Sequence, residues 1–157
     1  MYGPEAAAVA TPIGLVMIDG DDRHLTCIRF AASGESCAGE GAAVREGAAQ
    51  VTAWFAGRLT AFDLPLAPPV TPRGQALRDA IAAIGHGETA SYGDLATRIG
   101  SSARAVGQAC ARNPFPLVVP CHRVLQAGGR LGPYSAGDGP VTKRWLLDFE
   151  RSISGAG

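Results

Sequence analysis

The residues best suited to covalent chemistry lie together in the segment 120–124, which reads Pro-Cys-His-Arg-Val. Chemistry at sulfur needs the thiolate, and a free cysteine has a pKa of about 8.5, so a nucleophilic Cys121 needs help from its neighbours. His122 could accept the proton, and Arg123 adds positive charge. Adjacent side chains of an extended segment point in opposite directions, so either the chain turns after Cys121 or His122 acts through a water. The competing interpretation is a buried cysteine beside a surface His-Arg pair.

The remaining cysteines, Cys27, Cys37 and Cys110, are far apart in the sequence and form no C-x-x-C pair. A disulfide framework is not expected in a chain that is not secreted, and no clustered partners repeat the spacing of a structural zinc site. We interpret Cys27 and Cys110 as small buried hydrophobic residues and assign no role to Cys37. The sequence therefore predicts no metal.

The composition is that of a globular chain, with 46% hydrophobic and 18% charged residues among 157. Fourteen basic and fourteen acidic residues cancel. Because a neutral protein has no overall field to hold a polyanion, nucleic-acid binding would depend on locally placed basic groups and on salt. No apolar run approaches the roughly 20 residues that span a bilayer, and residues 1–10 lack the basic start of a signal peptide. We expect a cytoplasmic protein with no membrane contact.

The first half of the chain has the pattern of strands followed by a helix. Residues 13–18 and 25–30 are apolar and rich in β-formers, and turn residues join them, which predicts a hairpin. A helix is expected over 42–56, and alternating apolar residues predict a short strand over 62–66. Several prolines follow, so we place a boundary there, with domains at 1–68 and 72–157.

The second half has a helical pattern up to the reactive segment. Apolar residues recur at helical spacing up to residue 84. Ser91 can cap a helix over 92–99, and Ser102 can cap another over 103–111, which gives the outline of a helix-turn-helix. Residues 117–119 are expected to be a short buried strand or extended segment. A terminal helix buries a face that contains four apolar residues: Trp145, Leu146, Phe149 and Ile153.

Further segments accompany the reactive one in a fixed order. They are Gly-Glu-Thr at 87–89, Ser-Tyr-Gly at 91–93, Arg-Ala-Val at 104–106, Asn-Pro at 113–114, Gly-Pro-Tyr-Ser at 132–135, Lys143, Trp-Leu-Leu at 145–147 and Glu150. Together with 120–124 they resemble the O6-alkylguanine-DNA alkyltransferase family, also called methylated-DNA–protein-cysteine methyltransferases. The resemblance covers the whole chain and is specific from about residue 71 onward.

The resemblance implies an α/β fold. A small N-terminal β-sheet with a helix, ribonuclease H-like, would precede a helical C-terminal subdomain with a helix-turn-helix of the winged-helix type. It also implies a single-turnover DNA repair protein that takes the alkyl group of O6-alkylguanine, and possibly of O4-alkylthymine, from double-stranded DNA. The base would be flipped out from the minor-groove side. No cofactor is implied, and we expect a monomer.

The same resemblance implies roles for five residues in the reaction. Cys121 would accept the alkyl group. His122, polarised by Glu150, would help to deprotonate Cys121 through a water, which follows the general logic of an activated nucleophile. Asn113 would join this network. Tyr92 would donate a hydrogen bond to guanine N3, so that the base leaves as a neutral species.

Six residues are implied in contacts with the base or the DNA: Ser135, Tyr134, the backbone at Val124, Arg104, Ala105 and Arg123. Arg104 would fill the gap left by the extruded nucleotide. The small residues of the helix over 103–111, such as Ala105, would let it approach a narrow groove closely. The alternative is that they only pack against the neighbouring helix.

The chain departs from the family at three places. Arg73, Gly74 and Arg78 stand where the family has a Phe-Gln pair and a tryptophan, so either the core is repacked or this helix docks differently. The turn at 100–103 is shorter than usual. The loop at 135–140 is longer, which could change the preferred substrate size.

Three other functions therefore stay open. The first is a non-catalytic lesion-binding protein of the alkyltransferase-like kind, although that group lacks the acceptor cysteine that is present here as Cys121. The second is a thiol enzyme that acts on small alkylated metabolites and needs no duplex DNA. The third is a cysteine hydrolase, which would turn over many times and would not retain the substrate group.

Overall fold

The computed structural model of the chain describes residues 6–154. These residues divide into two compact units, the first ending at Ala67 and the second beginning at Pro68. The described part contains five α-helices and five short strands, which confirms the predicted α/β class. None of its helices has the length and apolarity needed to cross a membrane. Residues 1–5 and 155–157, which complete the predicted domains, lie outside the described residues.

The first unit contains a three-stranded antiparallel sheet. Its strands are β1 (Ala7–Thr11), β2 (Gly14–Gly20) and β3 (Leu25–Ala31), with β2 in the centre. The predicted hairpin is present as β2 and β3, and its register pairs Ile18 with Ile28. The strand β1 was not predicted. It forms because its backbone pairs with β2 through a tight turn at 12–13.

The helix α1 (Ala42–Phe55) packs against this sheet and ends one residue before the predicted limit. It buries Trp54 completely. At Gly47 an added Cβ would lie 3.2 Å from Leu25 and 3.3 Å from Ile18, so a glycine here lets the helix approach the sheet closely. The interior of this unit is therefore a helix-on-sheet hydrophobic core.

The predicted strand over 62–66 is wrong. Only Leu66 makes a bridge, parallel to Leu25. Leu25 N donates to Pro65 O at 2.8 Å, and Ala67 N donates back to Leu25 O at 2.8 Å. The ladder stops there because Pro65 has no N–H to extend it.

The second unit combines four helices with a two-stranded parallel sheet. These elements are α2 (Pro72–Ala82), β4 (Ala90–Ser91), α3 (Tyr92–Ile99), α4 (Ala103–Ala111), β5 (Val124–Leu125) and α5 (Pro140–Ser154). Helix α3 packs against both α2 and α4.

The two predicted serine caps are confirmed. Ser91 Oγ accepts a hydrogen bond from Asp94 N at 3.0 Å, and Ser102 Oγ accepts one from Ala105 N at 3.1 Å. Gly100 ends α3 in the left-handed conformation, with φ of 64°. Because Gly adopts this conformation without steric cost, three residues suffice to join α3 and α4.

The predicted strand or extended segment over 117–119 is also wrong, because these residues form a turn. Leu117 has a positive φ of 76°, and Val119 N donates to Phe115 O at 2.8 Å. The chain then enters a single 3-10 turn over Cys121–Arg123. Of the two possibilities left open by the sequence, the chain does turn at Cys121.

Candidate active site

A cavity of about 130 Å³ lies within the second unit. Its wall is formed by the start of α3, by α4, by the 3-10 turn and by the loop before α5. The lining residues are Tyr92, Gly107, Cys110, Ala111, Cys121, Pro133, Tyr134 and Ser135. Four of the predicted site residues are among them. No group of three His, Cys, Asp or Glu side chains within residues 6–154 could hold a metal ion.

Cys121 is 3% exposed and is held by a hydrogen bond at its sulfur. Asn113 Nδ2 lies 3.4 Å from Cys121 Sγ and donates to Val119 O at 2.9 Å. Asn113 Oδ1 accepts from Phe115 N at 2.9 Å, which fixes the orientation of the amide. The amide therefore links the end of α4 to the cysteine and offers its sulfur a donor.

A second thiol, Cys110, hydrogen bonds with Cys121. This bond raises the pKa of Cys121 well above its usual value, and burial raises it further. The same bond lowers the pKa of Cys110. Sequence reasoning missed this contact by treating Cys110 as an inert hydrophobic residue. No local signal in the sequence marks this interaction, because it depends on how α4 packs against the 3-10 turn that contains Cys121.

His122 and Glu150 form a fully buried pair, with His122 Nε2 at 2.8 Å from Glu150 Oε2. Burial alone would raise the pKa of Glu150, but hydrogen bonds from His122 and Arg123 outweigh burial and lower the pKa to about 2. An ionised carboxylate can only accept, so Nε2 carries the proton. Burial lowers the pKa of His122, so the ring is neutral at pH 7. Its Nδ1 is then an unprotonated acceptor, buried without a partner in the described chain.

Arg123 lies against Glu150 and does not line the cavity. Its Nε donates to both carboxylate oxygens of Glu150 at 3.0 Å, and its Nη2 donates to Oε2 at 2.6 Å. Its Nη1 donates to Ile84 O at 2.6 Å. The structure therefore makes Arg123 a partner that orients Glu150, unlike the implied contact with base or DNA.

Lys143 is a fully buried cation whose role sequence reasoning did not assign. Its Nζ donates to Val124 O at 2.7 Å and to Pro133 O at 3.1 Å, and it lies 5.9 Å from the centre of the Tyr92 ring. Burial lowers its pKa. Lys143 thus joins β5 to the loop that contains Tyr134. The carbonyl of Val124, a predicted base contact, is already an acceptor for this cation.

Three polar side chains complete the cavity. Burial raises the pKa of Tyr92 to about 12, so its hydroxyl stays a donor at neutral pH. Burial also raises the pKa of Tyr134. Ser135 Oγ donates to Cys110 O at 3.4 Å, which ties the loop to α4.

Arg104 and Ala105 lie in the first turn of α4, outside the cavity lining. Arg104 is exposed, and Ala105 is half-buried with its N–H capped by Ser102. Small residues recur along α4 as far as Ala111, so few bulky side chains project from this helix. The exposed Arg104 lies at its start.

Of the three positions named above as departures, Arg78 and Gly74 make local contacts. The Arg78 guanidinium lies 5.1 Å from the centre of the Phe115 ring. At Gly74 an added Cβ would lie 3.1 Å from both Pro69 and Thr71, and its N–H is capped by Thr71 Oγ1 at 3.0 Å. Arg73 is exposed. Arg78 therefore supplies packing at the turn that leads to Cys121.

In the loop over 135–140, Asp138 N donates to Thr142 Oγ1 at 2.8 Å, and Gly139 N donates to Ala136 O at 3.1 Å. This loop is thus tied to the first turn of α5. In the turn over 100–103, Ser102 caps α4, so the first residues of that helix have a defined start.

Comparisons with known proteins point to one family. The family model for the DNA-binding domain of 6-O-methylguanine DNA methyltransferase matches residues 73–152. A methylated-DNA–protein-cysteine methyltransferase of Methanosarcina acetivorans is 37% identical over 93% of this chain and 97% of its own. One from Mycolicibacterium paratuberculosis is 39% identical over 97% of this chain and 95% of its own. A crystal structure of Mycobacterium tuberculosis OGT in complex with DNA matches with a TM-score of 0.81 and 36% identity, over 94% of this chain and 93% of that one. The chain therefore belongs to the 6-O-methylguanine DNA methyltransferase family.

Proposed function

We propose that this chain repairs DNA by transferring the alkyl group of O6-alkylguanine to Cys121. The observation that carries the proposal is the position of Cys121 in the cavity wall, hydrogen bonded to Asn113 and followed directly by the buried His122–Glu150 pair. In the transfer, the sulfur bonds to the alkyl carbon as the bond from that carbon to O6 breaks. The thioether does not reverse readily, so each molecule acts once.

Proton transfer from the thiol is the step that the buried pair supports. Cys121 is a protonated thiol at rest because its pKa is raised by the bond with Cys110 and by burial. A base must therefore remove the proton, and the thiolate is then the nucleophile. His122 is neutral and its Nδ1 is an acceptor, so we propose that it takes this proton through a water. Glu150, itself held by Arg123, orients the ring and stabilises its positive charge.

Tyr92 is proposed to assist the leaving base. Its raised pKa, near 12, keeps its hydroxyl protonated, and its ring lines the cavity with Cys121. A donor to guanine N3 would neutralise the charge that develops as O6 loses the alkyl group. Tyr134, Ser135 and the Val124 backbone are proposed to recognise the base.

Binding to double-stranded DNA is proposed through α3 and α4, as a helix-turn-helix of the winged-helix type. The capped helices, the three-residue turn and the small residues of α4 support this mode. Placing α4 in the minor groove would bring Arg104 to the base stack, where it could fill the gap left by a flipped nucleotide. Flipping costs a few kcal/mol, and a damaged base lowers this cost. For the first unit, we propose a ribonuclease H-like fold. The packing of its sheet against α1 favours this fold.

The test is the intact mass of the protein after incubation with a duplex that contains one O6-methylguanine. We expect a gain of one methyl group that peptide mapping assigns to Cys121. Cys121→Ser should gain nothing, and Cys37→Ser, which removes an exposed thiol instead, should gain the group as the wild type does.

Other outcomes would point to different functions. Tight lesion binding without a mass gain would indicate a lesion sensor. Neither gain nor binding would favour a thiol enzyme for small alkylated metabolites. Release of many product molecules per protein, without retention of the group, would indicate a hydrolase.

A further inference from the structure

The cavity wall contains two thiols, Cys110 and Cys121, although alkyl transfer requires only one. Cys110 on α4 is 8% exposed, and Cys121 on the 3-10 turn is 3% exposed. Both line the same cavity, and each thiol shifts the pKa of the other. Because Ala111, Pro133 and Ser135 in the same wall are exposed, small solutes can reach this pair from solvent.

We propose that Cys110 and Cys121 form a reversible disulfide when the site meets a peroxide, with Cys110 as the thiol that protects the acceptor. The other cysteines of the chain do not share this arrangement. Cys27 Sγ donates to Ile28 O and Cys37 Sγ to Ala6 O, and neither residue lines the cavity.

The reaction balances with hydrogen peroxide as the oxidant. The thiolate of one cysteine attacks a peroxide oxygen, the O–O bond breaks, and a sulfenic acid and hydroxide form. The second thiol then attacks the sulfenic sulfur, the S–O bond breaks, and the oxygen leaves with both protons as water. In sum, two thiols and one peroxide give one disulfide and two waters.

Because both thiols lie in the wall of one cavity of about 130 Å³, the second step should be fast relative to further oxidation. A sulfenic acid without a neighbouring thiol is oxidised further to a sulfinic acid, which thiol reductants do not reverse. The first step needs a thiolate, and the lowered pKa of Cys110, with Lys143 as a nearby cation, favours one within this pair. An acceptor that works once would thereby be preserved until reducing conditions return.

The sequence allows a sharp test, because Arg112 lies between the two cysteines. After treatment with hydrogen peroxide and blocking of free thiols, trypsin separates residues 105–112 from 113–123. We expect the wild type to lose two hydrogen atoms and to show these two peptides joined by a disulfide. Dithiothreitol should restore both the original mass and alkyl transfer.

Two variants serve as controls. Cys110→Ala should gain oxygen at Cys121 under the same treatment, and dithiothreitol should not restore that variant's own starting activity. Cys37→Ala should behave as the wild type does. If Cys110→Ala does not fold, Cys110→Ser removes the same thiol with less change in polarity, and the wild-type peptide map decides the question by itself.

The proposal is overturned if the wild-type disulfide joins any other pair of cysteines. It is equally overturned if wild type and Cys110→Ala accumulate sulfinic acid at Cys121 at the same rate. The peptide map does not depend on Cys121 being the alkyl acceptor, so failure of that assignment would be seen separately, in the methyl-transfer experiment.

Discussion

The two units of this chain have interiors of different character. Among the described residues, those buried in the first unit are apolar or glycine, with Trp54 as the largest. The second unit buries five polar or charged residues, all between positions 122 and 150: His122, Arg123, Thr142, Lys143 and Glu150. Burying charge is costly unless every charge is paired and hydrogen bonded.

This difference indicates which interior is arranged for chemistry. An apolar core needs only matching shapes, whereas the second unit places each buried ionisable side chain against a specific partner: His122 and Arg123 against Glu150, and Lys143 against two carbonyls. Such a cluster is weak support for stability, but it fixes proton positions beside Cys121. We therefore expect substitutions within this cluster to have larger effects than matched substitutions outside it.

The largest effect is expected for His122→Gln. Loss of the base that accepts the thiol proton should slow methyl transfer by about 10²–10⁴-fold, the usual range for general base catalysis. The matched change is His24→Gln in the exposed turn before β3, which should leave the rate unchanged. Single-turnover transfer from a lesion duplex measures both. Equal rates for His122→Gln and wild type would remove His122 from the reaction.

Glu150→Gln is expected to cost the most stability. It leaves the buried Arg123 without its anion, and breaking a buried pair in this way costs about 3–5 kcal/mol. The control on the same helix is Asp148→Asn, whose partner Arg151 lies 3.7 Å away with both side chains mostly exposed. A surface pair of this kind contributes about 0–1 kcal/mol. Urea unfolding compares the free energies of unfolding of the two variants. Similar decreases would show that the buried pair contributes no more to stability than the surface pair.

Acid should loosen the second unit before the first. Burial lowers the pKa of His122 below its ordinary value of 6.5, so the unfolded chain binds a proton more readily and stability falls as the pH drops through about 6.5. The pKa of Glu150 is lowered from 4.5 to about 2. Protonation of this carboxylate therefore removes further stability as the pH falls from 4.5 to about 2. Hydrogen exchange at pH 7 and pH 5, resolved by peptides, should show faster opening of residues 68–154 than of 7–67. In His122→Gln this difference should shrink.

Local signals in the sequence account for much of this structure. Serine caps at Ser91 and Ser102 fix the starts of α3 and α4, because capping depends only on nearby residues. By contrast, β1 depends on pairing with another strand. The turn at 117–119 depends on a positive φ at Leu117, which the residue types of this segment do not indicate. An apolar run of that length reads equally well as a buried strand.

The same limit applies to the site. The motif around Cys121 predicted a nucleophile with an adjacent base, and this pattern is local. That Arg123 binds Glu150 across 27 positions, or that Cys110 contacts Cys121 from another helix, depends on how the elements pack. The resemblance implied that Arg123 contacts the base or the DNA, whereas in the structure this side chain binds the Glu150 carboxylate.

The smallest expected effect comes from a cation at the edge of the second unit. Arg78→Ala removes a guanidinium 5.1 Å from the Phe115 ring, and such contacts contribute about 0.5–1 kcal/mol at exposed sites. Arg73→Ala, on the same helix and exposed, should change stability by less than that. Because Phe115 N donates to Asn113, which in turn donates to Cys121 Sγ, Arg78→Ala should also slow methyl transfer slightly, while Arg73→Ala should not. A stability loss for Arg78→Ala as large as that of Glu150→Gln would contradict the distinction between buried and peripheral charge on which the comparison of the two units depends.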